Sequence, residues 1–357
     1  MTKKPVRRPT ITNVAAEAGV AATTVSRVFN GGYVSAEARA RVEKAIKSLG
    51  YVPSSTARSL RYGRKGCVGV VVNSVHSPWF MGLLAGIEEE LAPGRASLML
   101  ASLRMRDVYD AEPVMSWIAE RRVDGLIFVR YSRREQPLFA AATEAGILSA
   151  FICPDETVGS GFTVRCRNFE AGRALTGHLM DLGHQRIAFI GGPKDSVDTL
   201  DRLRGLEAEM ASRGVRGKVS SSFATSYGPE AVEDAARQFL KQKAGQRPSA
   251  VVLGNDVMAL AFMRELLRSG VSIPDEVSVT GFDGIEEAAR FWPALTTVAQ
   301  PLHALGAAAC RTLLSRIEDP TTDLAMTVEY AMDLVVRESS GPLLEPRGVG
   351  RLATRRR

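Results

Sequence analysis

From Cys67 onward, short apolar runs alternate with longer amphipathic stretches, and this alternation constrains the fold more than any other feature of the chain. Eight apolar runs have the length of buried strands, at 67–72, 98–101, 125–129, 148–152, 187–191, 250–254, 277–281 and 333–336. Helix-like stretches separate many of them, at 79–92, 111–121, 135–145, 169–182, 229–243 and 256–269. Alternating strands and helices predict an α/β fold with parallel, doubly wound sheets. Because the pattern is too long for one compact sheet, we expect two lobes.

Residues 10–30 carry a different pattern, in which two short helices meet at Gly19-Val20. The apolar positions of the two helices are 11, 14, 15, 18, 25 and 28. Thr10 is a suitable N-cap for the first helix, and Gly19 permits a tight turn. This spacing predicts a helix-turn-helix, whose second helix lies in the major groove of DNA. An ordinary helical hairpin would show the same spacing, so the charge of the region decides between the two.

The positive charge is concentrated in the first 65 residues, which hold thirteen Lys and Arg against three acidic residues. Their net charge is +10, whereas the whole chain carries +7, so the remaining 292 residues carry −3. A basic head on a mildly acidic body is the electrostatic pattern of a nucleic-acid-binding module attached to an ordinary globular domain. Together with the helix spacing, the charge favours DNA binding.

A third helix is predicted at 36–49, with Ser35 as its N-cap and an apolar face that packs on the first two helices. Pro53 opens the next segment, in which residues 54–61 have helical propensity but are too few to stay helical alone, and 62–66 resemble a linker. We therefore assign residues 1–61 to a three-helix head that ends in a hinge segment, 53–61. The basic, Pro- and Gly-containing residues 341–357 are predicted to be a disordered tail.

Residues 24–30, Thr-Val-Ser-Arg-Val-Phe-Asn, followed by Val34-Ser35 and by Gly50-Tyr51-Val52-Pro53, resemble the head of the LacI/GalR family of bacterial transcriptional regulators. The likeness extends from about residue 9 to about residue 340. It implies that 67–340 form an effector-binding and dimerisation domain, two-lobed like the periplasmic sugar-binding proteins. Lobe one would then hold about 67–165 and 298–325, and lobe two about 166–297 and 326–340.

The resemblance assigns DNA contacts to the head. Ala22, Thr23 and Arg27 would face outward from the second helix and read base edges, and Arg27 can donate two hydrogen bonds to guanine. Phosphate contacts are expected from hydroxyl and amide groups at Thr10, Ser26, Asn30 and Tyr33. Two residues depart from the family pattern: Asn13 stands in place of the usual Asp, and Ala21 in place of the Ser that commonly caps the second helix.

The hinge segment has one large apolar side chain, Leu60, between basic residues. In the family this segment folds into a helix only on operator DNA, where paired leucines from two subunits wedge into the minor groove. The resemblance therefore implies DNA contacts for Ala57, Leu60 and Arg61. An alternative interpretation is that Leu60 docks on the effector-binding domain.

Polar side chains follow several predicted strands, at the edge where open α/β sheets bind ligands. By resemblance, Arg202, Asn255 and Asp283 fall on ligand-contacting positions. Asp283 would accept hydrogen bonds from ligand hydroxyls or amines, and Arg202 would clamp a hydroxyl or carboxylate. The resemblance also adds Tyr227 to this wall and places on the opposite wall Asn73, Trp79, Phe80 and Gln300.

Some of these residues have structural alternatives. Asn255 could serve solely as the N-cap of the next helix and not bind ligand, and Trp79 and Phe80 could be core residues. Many sugar-responsive members carry an acidic residue where this chain has Cys153, and a thiol is a poor partner for a pair of hydroxyls. The expected effector is a small polar molecule, a sugar or sugar derivative, with a sugar acid or a purine-like compound as alternatives.

The predicted macromolecular partners are double-stranded, pseudo-palindromic operator DNA and a second copy of the chain. One reading helix per chain requires two half-sites related by a two-fold axis. A solute-binding transport component of the same fold is disfavoured by the basic head and by the lack of a signal-peptide pattern. An enzyme is the weakest alternative, because no GxGxxG or Walker loop follows a strand and the four His residues form no cluster.

No metal or cofactor is predicted, and Cys67, Cys153, Cys166 and Cys310 lack the CxxC spacing of a zinc site. The same scattered spacing gives no sign of a disulfide framework. No apolar stretch approaches the roughly 20 residues that a membrane-spanning helix needs. We therefore expect a cytoplasmic protein without membrane contact.

Overall fold

The structure, a computed structural model, describes residues 9–29, 32–51, 65–94, 96–105, 108–156, 158–215, 219–224, 226–322 and 326–344. The chain divides into two compact units between Gly66 and Cys67. The first is a head of helices, and the second is a larger α/β body with two six-stranded sheets. The predicted fold class, a helix-turn-helix head and a two-lobed body of doubly wound parallel sheets, is confirmed.

The head contains three helices, α1 Ile11–Ala18, α2 Ala22–Phe29 and α3 Ala36–Leu49. Their buried core consists of Val14, Ala15, Ala18, Val25, Val42 and Ala45. Gly19 turns the chain from α1 to α2 with a φ of 61°, a left-handed conformation that glycine adopts without steric cost. Ser35 caps α3 as predicted, because its hydroxyl accepts a hydrogen bond from the Ala38 N–H at 3.3 Å.

Asn13 performs the capping role that an Asp would perform. Its Oδ1 accepts hydrogen bonds from the Thr10 backbone N–H at 2.9 Å and from the Thr10 hydroxyl at 2.7 Å. The Thr10 Oγ1 in turn accepts from the Asn13 N–H at 3.4 Å, which completes a capping box. The departure from the family pattern at position 13 therefore leaves α1 capped. Ala21 has no side-chain oxygen to do the same for α2.

Lobe one is built on a parallel sheet with the spatial order β2-β1-β5-β6-β7-β13. Its strands are β1 Cys67–Val72, β2 Ser97–Ser102, β5 Gly125–Val129, β6 Leu148–Ile152, β7 Phe162–Cys166 and β13 Thr327–Tyr330. A small antiparallel pair, β3 Arg104–Met105 and β4 Val108–Tyr109, follows β2. One face packs against α4 Pro78–Gly94 and α12 Leu302–Glu318, and the other against α5 Glu112–Ala119 and α6 Gln136–Glu144.

Lobe two repeats this plan with the order β9-β8-β10-β11-β12-β14, in which β14 runs antiparallel to β12. Its strands are β8 Ile187–Gly191, β9 Ser220–Phe223, β10 Ala250–Leu253, β11 Ser278–Asp283, β12 Thr296–Ala299 and β14 Asp333–Val335. One face packs against α7 Asn168–Asp181 and α8 Val197–Ser212, and the other against α9 Glu233–Lys241, α10 Asp256–Arg268 and α11 Glu286–Arg290. No helix in the described part of the chain is long and apolar enough to cross a membrane.

The chain passes between the lobes at 167, at 300–301 and at 331–332. The sequence predicted the last crossing near 325 and placed 326–340 in lobe two. That prediction is wrong for β13, which pairs with β7 of lobe one and sets Thr327 opposite Thr163. The pairing supplies hydrogen-bond partners along an edge of β7 that would otherwise lie open.

The body continues past residue 340, where the sequence predicted a disordered tail. The Gly341 N–H donates to Ser278 Oγ at 3.1 Å, and the Gly341 carbonyl accepts from His184 Nε2 at 3.0 Å. Because His184 and Ser278 are buried, they need these partners, and residues 341–344 therefore belong to lobe two. The prediction of disorder is wrong for these four residues, and 345–357 lie outside the described residues.

Helices α4 and α12 of lobe one cross at two glycines. A Cβ atom at Gly306 would lie 2.0 Å from the Leu83 carbonyl oxygen, and one at Gly86 would lie 2.0 Å from the His303 carbonyl oxygen. Real Cβ atoms do not approach an oxygen this closely, so any side chain at either position would push the helices apart. The crossing fixes α4, which carries Trp79 and Phe80 in its first turn.

We expect Gly306→Ala to destabilise the body by about 1–3 kcal/mol, because overpacking forces rigid backbone to shift. Urea unfolding followed by circular dichroism would measure the loss. Gly159→Ala is the matched control, because that glycine lies in an exposed turn with open space around its Cβ position. Equal stability of the two variants would contradict the close crossing of α4 and α12.

Candidate functional site

The head exposes the residues that the sequence assigned to base reading. Ala22, Thr23 and Arg27 of α2 are all exposed, and the Tyr33 side chain is 93% exposed. Ser26 is half-buried on the same helix. The Thr10 hydroxyl is exposed but already serves the capping box with Asn13. Asn30 and the whole hinge segment, 53–61, with Ala57, Leu60 and Arg61, lie outside the described residues.

The body contains a cavity of about 170 Å³ between the lobes. All eight residues that the sequence assigned to ligand binding line it: Asn73, Trp79, Phe80, Arg202, Tyr227, Asn255, Asp283 and Gln300. They come together because parallel strands of both sheets end at this cleft, so residues that follow those strands face one another. Their contact with a ligand remains a prediction.

Arg202 is 3% exposed and is held from several sides. Its Nε donates to Asn168 Oδ1 at 2.7 Å, and its Nη1 donates to the Gly254 carbonyl oxygen. The guanidinium lies 4.4 Å from the centroid of the Phe282 ring, and its Nη2 is 3.9 Å from Asp283 Oδ1. These contacts fix the orientation of a positive charge at the cavity wall.

Asp283 ends β11 with a φ of 119°, a conformation that few non-glycine residues adopt. Its Oδ1 accepts a hydrogen bond from Gln300 Nε2 at 2.7 Å. Burial raises the pKa of Asp283 to about 7, while Arg202 and the Gln300 hydrogen bond act in the opposite direction. A carboxyl group with this pKa can change its charge near neutral pH.

A second buried carboxyl group, that of Asp256, lies behind Asp283. Burial and the negative charge of Asp283 raise its pKa. Its two oxygens accept hydrogen bonds from the Gly284 N–H at 2.7 Å, the Ile285 N–H at 3.0 Å and the Thr297 hydroxyl at 2.5 Å. These bonds tie the loop after β11 to α10 and so hold Asp283 in place.

Asn255 caps α10, the structural alternative that the sequence left open, and it also lines the cavity. Its Oδ1 accepts from the Met258 N–H at 2.9 Å, which caps α10, and the same side chain lines the cavity. Its Nδ2 donates to the Tyr227 carbonyl oxygen at 3.3 Å. The Tyr227 hydroxyl hydrogen-bonds Ser196 at 2.9 Å and Thr199 at 2.7 Å.

The lobe-one wall combines aromatic and polar groups. Phe80 is 2% exposed and belongs to the lobe core as well as to the cavity wall. The indole N–H of Trp79 is buried and has no hydrogen-bond partner among the described residues. Gln300, which the sequence placed on this wall, lies at the second crossing and hydrogen-bonds Asp283 of lobe two. Cys153 does not line the cavity. Its thiol hydrogen-bonds Cys166, and this bond together with burial raises the pKa of Cys153.

The sequence reasoning missed two charged residues of the cavity wall, Arg130 and Asp198. Arg130 directly follows β5, at the strand end where ligands of parallel sheets bind, and the rule that found Asn255 and Asp283 could have found it. Asp198 lies in the first turn of α8, a helix that the sequence did not predict. The Arg130 Nη1 donates to Asp198 Oδ2 across the cleft.

An exposed recognition helix and a cavity between two lobes, lined by aromatic, polar and charged side chains, define a DNA-binding regulator with a ligand-binding body. Residues 10–54 match the family of bacterial regulatory proteins, lacI family, and residues 176–340 match the periplasmic binding protein-like domain. The chain is 33% identical to the HTH-type transcriptional repressor PurR of Edwardsiella ictaluri. This match extends over 343 residues, 95% of this chain and 99% of the relative. It is 34% identical to the HTH-type transcriptional regulator CelR of Thermobifida fusca, over 346 residues that make up 93% of this chain and 98% of the relative.

Solved structures agree with these matches. The lac repressor dimer bound to operator and the anti-inducer ONPF superposes with a TM-score of 0.80 at 26% identity, covering 94% of this chain and all (100%) of that one. A complex of the regulator CelR with cellobiose gives a TM-score of 0.69 at 32% identity. The match covers 93% of this chain and 100% of that one. The chain therefore belongs to the LacI family of bacterial transcriptional regulators. Its relatives are regulators and not enzymes.

Proposed function

We propose that the protein is a homodimeric repressor whose affinity for operator DNA changes when a small, carbohydrate-like effector occupies the interlobe cavity. DNA binding and transcriptional regulation follow from its family. The effector proposal is carried by one observation, the convergence of eight polar and aromatic side chains from both lobes on one cavity. Because its target is operator DNA, we place the protein in the cytoplasm.

The proposed division of labour follows the two units. Residues 1–61 form the DNA-binding head with its hinge segment, 62–66 the linker, and 67–344 the effector-binding and dimerisation body. Arg27 reads a guanine with support from Ala22 and Thr23, and the neighbouring hydroxyl and amide groups bind phosphate. Two heads in a dimer require a pseudo-palindromic operator, and the related lac repressor binds its operator as a dimer.

The chemistry of the cavity favours a ligand with several hydroxyl groups. Asp283 and Asn255 offer oxygen acceptors and amide donors on one wall, and the unpartnered Trp79 N–H can donate to a ligand oxygen on the other. Trp79 and Phe80 add aromatic surface to this wall, and aromatic rings pack well against the apolar face of a sugar ring. The related CelR binds cellobiose, which makes β-linked glucosides the first compounds to test.

The test has two parts, because the DNA and effector proposals can fail separately. Selection from a random DNA library should yield a pseudo-palindrome, and the affinity for it should fall steeply with salt because the head carries +10. A thermal-shift screen of sugars, sugar acids and purines should then find a ligand that changes this affinity. Selection of a single half-site, or a screen in which only purines or sugar acids bind, would overturn the corresponding part.

The hinge assignment predicts a separate result for Leu60. If Leu60 wedges into the minor groove, Leu60→Ala should reduce the operator bend angle and weaken specific binding, with little effect on non-specific affinity. The bend angle can be measured by FRET between the ends of an operator duplex. An unchanged angle would support the alternative that Leu60 docks on the body.

A further inference from the structure

Arg130 of lobe one reaches across the cleft to lobe two. Its Nη1 donates to Asp198 Oδ2 in the first turn of α8, and its Nη2 donates to Ser196 Oγ at 3.0 Å. Its guanidinium carbon lies 5.4 Å from the centroid of the Tyr227 ring. Three residues of lobe two therefore hold one side chain of lobe one.

Asp155 strengthens this contact from the side of lobe one. Its Oδ1 accepts from Arg130 Nη2 at 2.6 Å and also from Ser196 Oγ at 2.9 Å, so a third hydrogen bond crosses the cleft. The Arg130 side chain is 19% exposed and that of Asp198 is 8% exposed. At this burial the attraction between the charges is screened little by water or salt.

The contact is also connected to the proposed effector site. The second oxygen of Asp198, Oδ1, accepts from Asn168 Nδ2 at 2.8 Å, and Asn168 Oδ1 accepts from Arg202 Nε at 2.7 Å. Asn168 is buried and begins α7, directly after the first crossing between the lobes. A shift of Arg202 would therefore move Asn168 and, through it, the Asp198 carboxylate that binds Arg130.

We propose that Arg130, Asp155, Ser196 and Asp198 form an interlobe latch, made entirely of the chain's own side chains, that holds the lobes at a fixed angle. When Arg130 is removed, two carboxylates face each other across the cleft without a positive charge between them, and they repel. The lobes then move apart. Coupling of the latch to the effector through Asn168 and Arg202 rests on the proposed function, but the latch itself does not.

The latch can be tested by measuring the distance between the lobes in the full chain without effector. Glu144→Cys in lobe one and Lys241→Cys in lobe two provide exposed sites for spin labels, whereas the four native cysteines are buried. Arg130→Gln should lengthen and broaden the distance distribution measured by pulsed electron resonance. Arg133→Gln is the matched control, because that arginine is 86% exposed and pairs with Glu156 of the same lobe.

A second variant separates the latch from a general loss of structure. Adding Asp198→Asn to Arg130→Gln removes one of the two repelling charges and should shift the distance back toward that of the wild type. If Arg130→Gln does not fold, Arg130→Lys together with Ser196→Ala should give an intermediate distance. A distribution identical to the wild type in a folded Arg130→Gln protein, or in the fallback variant, would overturn the proposal whatever ligand the cavity binds.

Discussion

Asp283→Asn is expected to remove most of the response to effector while operator binding without effector stays close to that of the wild type. The substitution keeps the shape of the side chain, and Asn tolerates the φ of 119° better than Ala does. It removes the charge that would receive ligand hydroxyls. Hydrogen bonds to charged groups contribute about 1.5–3 kcal/mol, so effector affinity should fall by roughly 10- to 150-fold.

The pH dependence provides an independent check on the same residue. Because the pKa of Asp283 is raised to about 7, lowering the pH through 7 protonates it and should weaken effector binding to the wild type. In Asp283→Asn this dependence should be much weaker, with Asp256 left to titrate beside the cavity. Calorimetric titration across this pH range measures both effects, and Asp275→Asn, a change at an exposed carboxylate of the same lobe, is the control. A wild-type response in Asp283→Asn would show that the cavity assignment is wrong.

Arg27→Ala is expected to abolish the preference for the operator while effector binding to the body is unchanged. Loss of a bidentate contact to guanine costs about 1–3 kcal/mol per half-site. With two half-sites in a dimer, specific affinity should fall by roughly 30- to 20,000-fold, whereas affinity for unrelated DNA should change little.

Competition binding with the selected operator and with random duplexes measures this ratio of affinities. Lys47→Ala removes an exposed positive charge from the last turn of α3 and is the matched control. It should weaken binding to all DNA alike and leave the preferred sequence unchanged. If Arg27→Ala selects the same operator from a random library, Arg27 does not read the bases.

Six of the eight strands that the sequence revealed are buried along most of their length. Strands such as β1 and β10 form continuous apolar runs because helices cover both sides of a parallel sheet. Strand β13 is short, alternates between exposed and half-buried residues and lies at a sheet edge, so its residues carry no such pattern. The lobe to which β13 belongs is set by its pairing with β7, more than 150 residues earlier in the chain. Local sequence patterns carry no information about such a distant pairing.

The sequence analysis also did not predict helices α8 and α12. Helix α8 carries polar residues such as Asp198 and Arg202 on its buried side. Both hydrogen-bond Asn168 and are not part of an apolar core. Its periodicity is therefore obscured. Helix α12, by contrast, has regularly spaced apolar residues at 305, 309 and 313 that could have revealed it.

The sequence by itself determined the head, the fold class and eight of the residues that line the cavity, because short-range spacing, local charge and family motifs carry that information. It also specified that Asn255 and Asp283 follow strands, and parallel strands bring their carboxyl ends to one edge. Only the tertiary structure decided what those side chains contact: that Gln300 bonds Asp283, that residues 341–344 are bound to lobe two, and that Arg130 meets Asp198. Each of these contacts joins residues that are not neighbours in the chain, and the contact between Arg130 and Asp198 also depends on how the two lobes pack across their cleft.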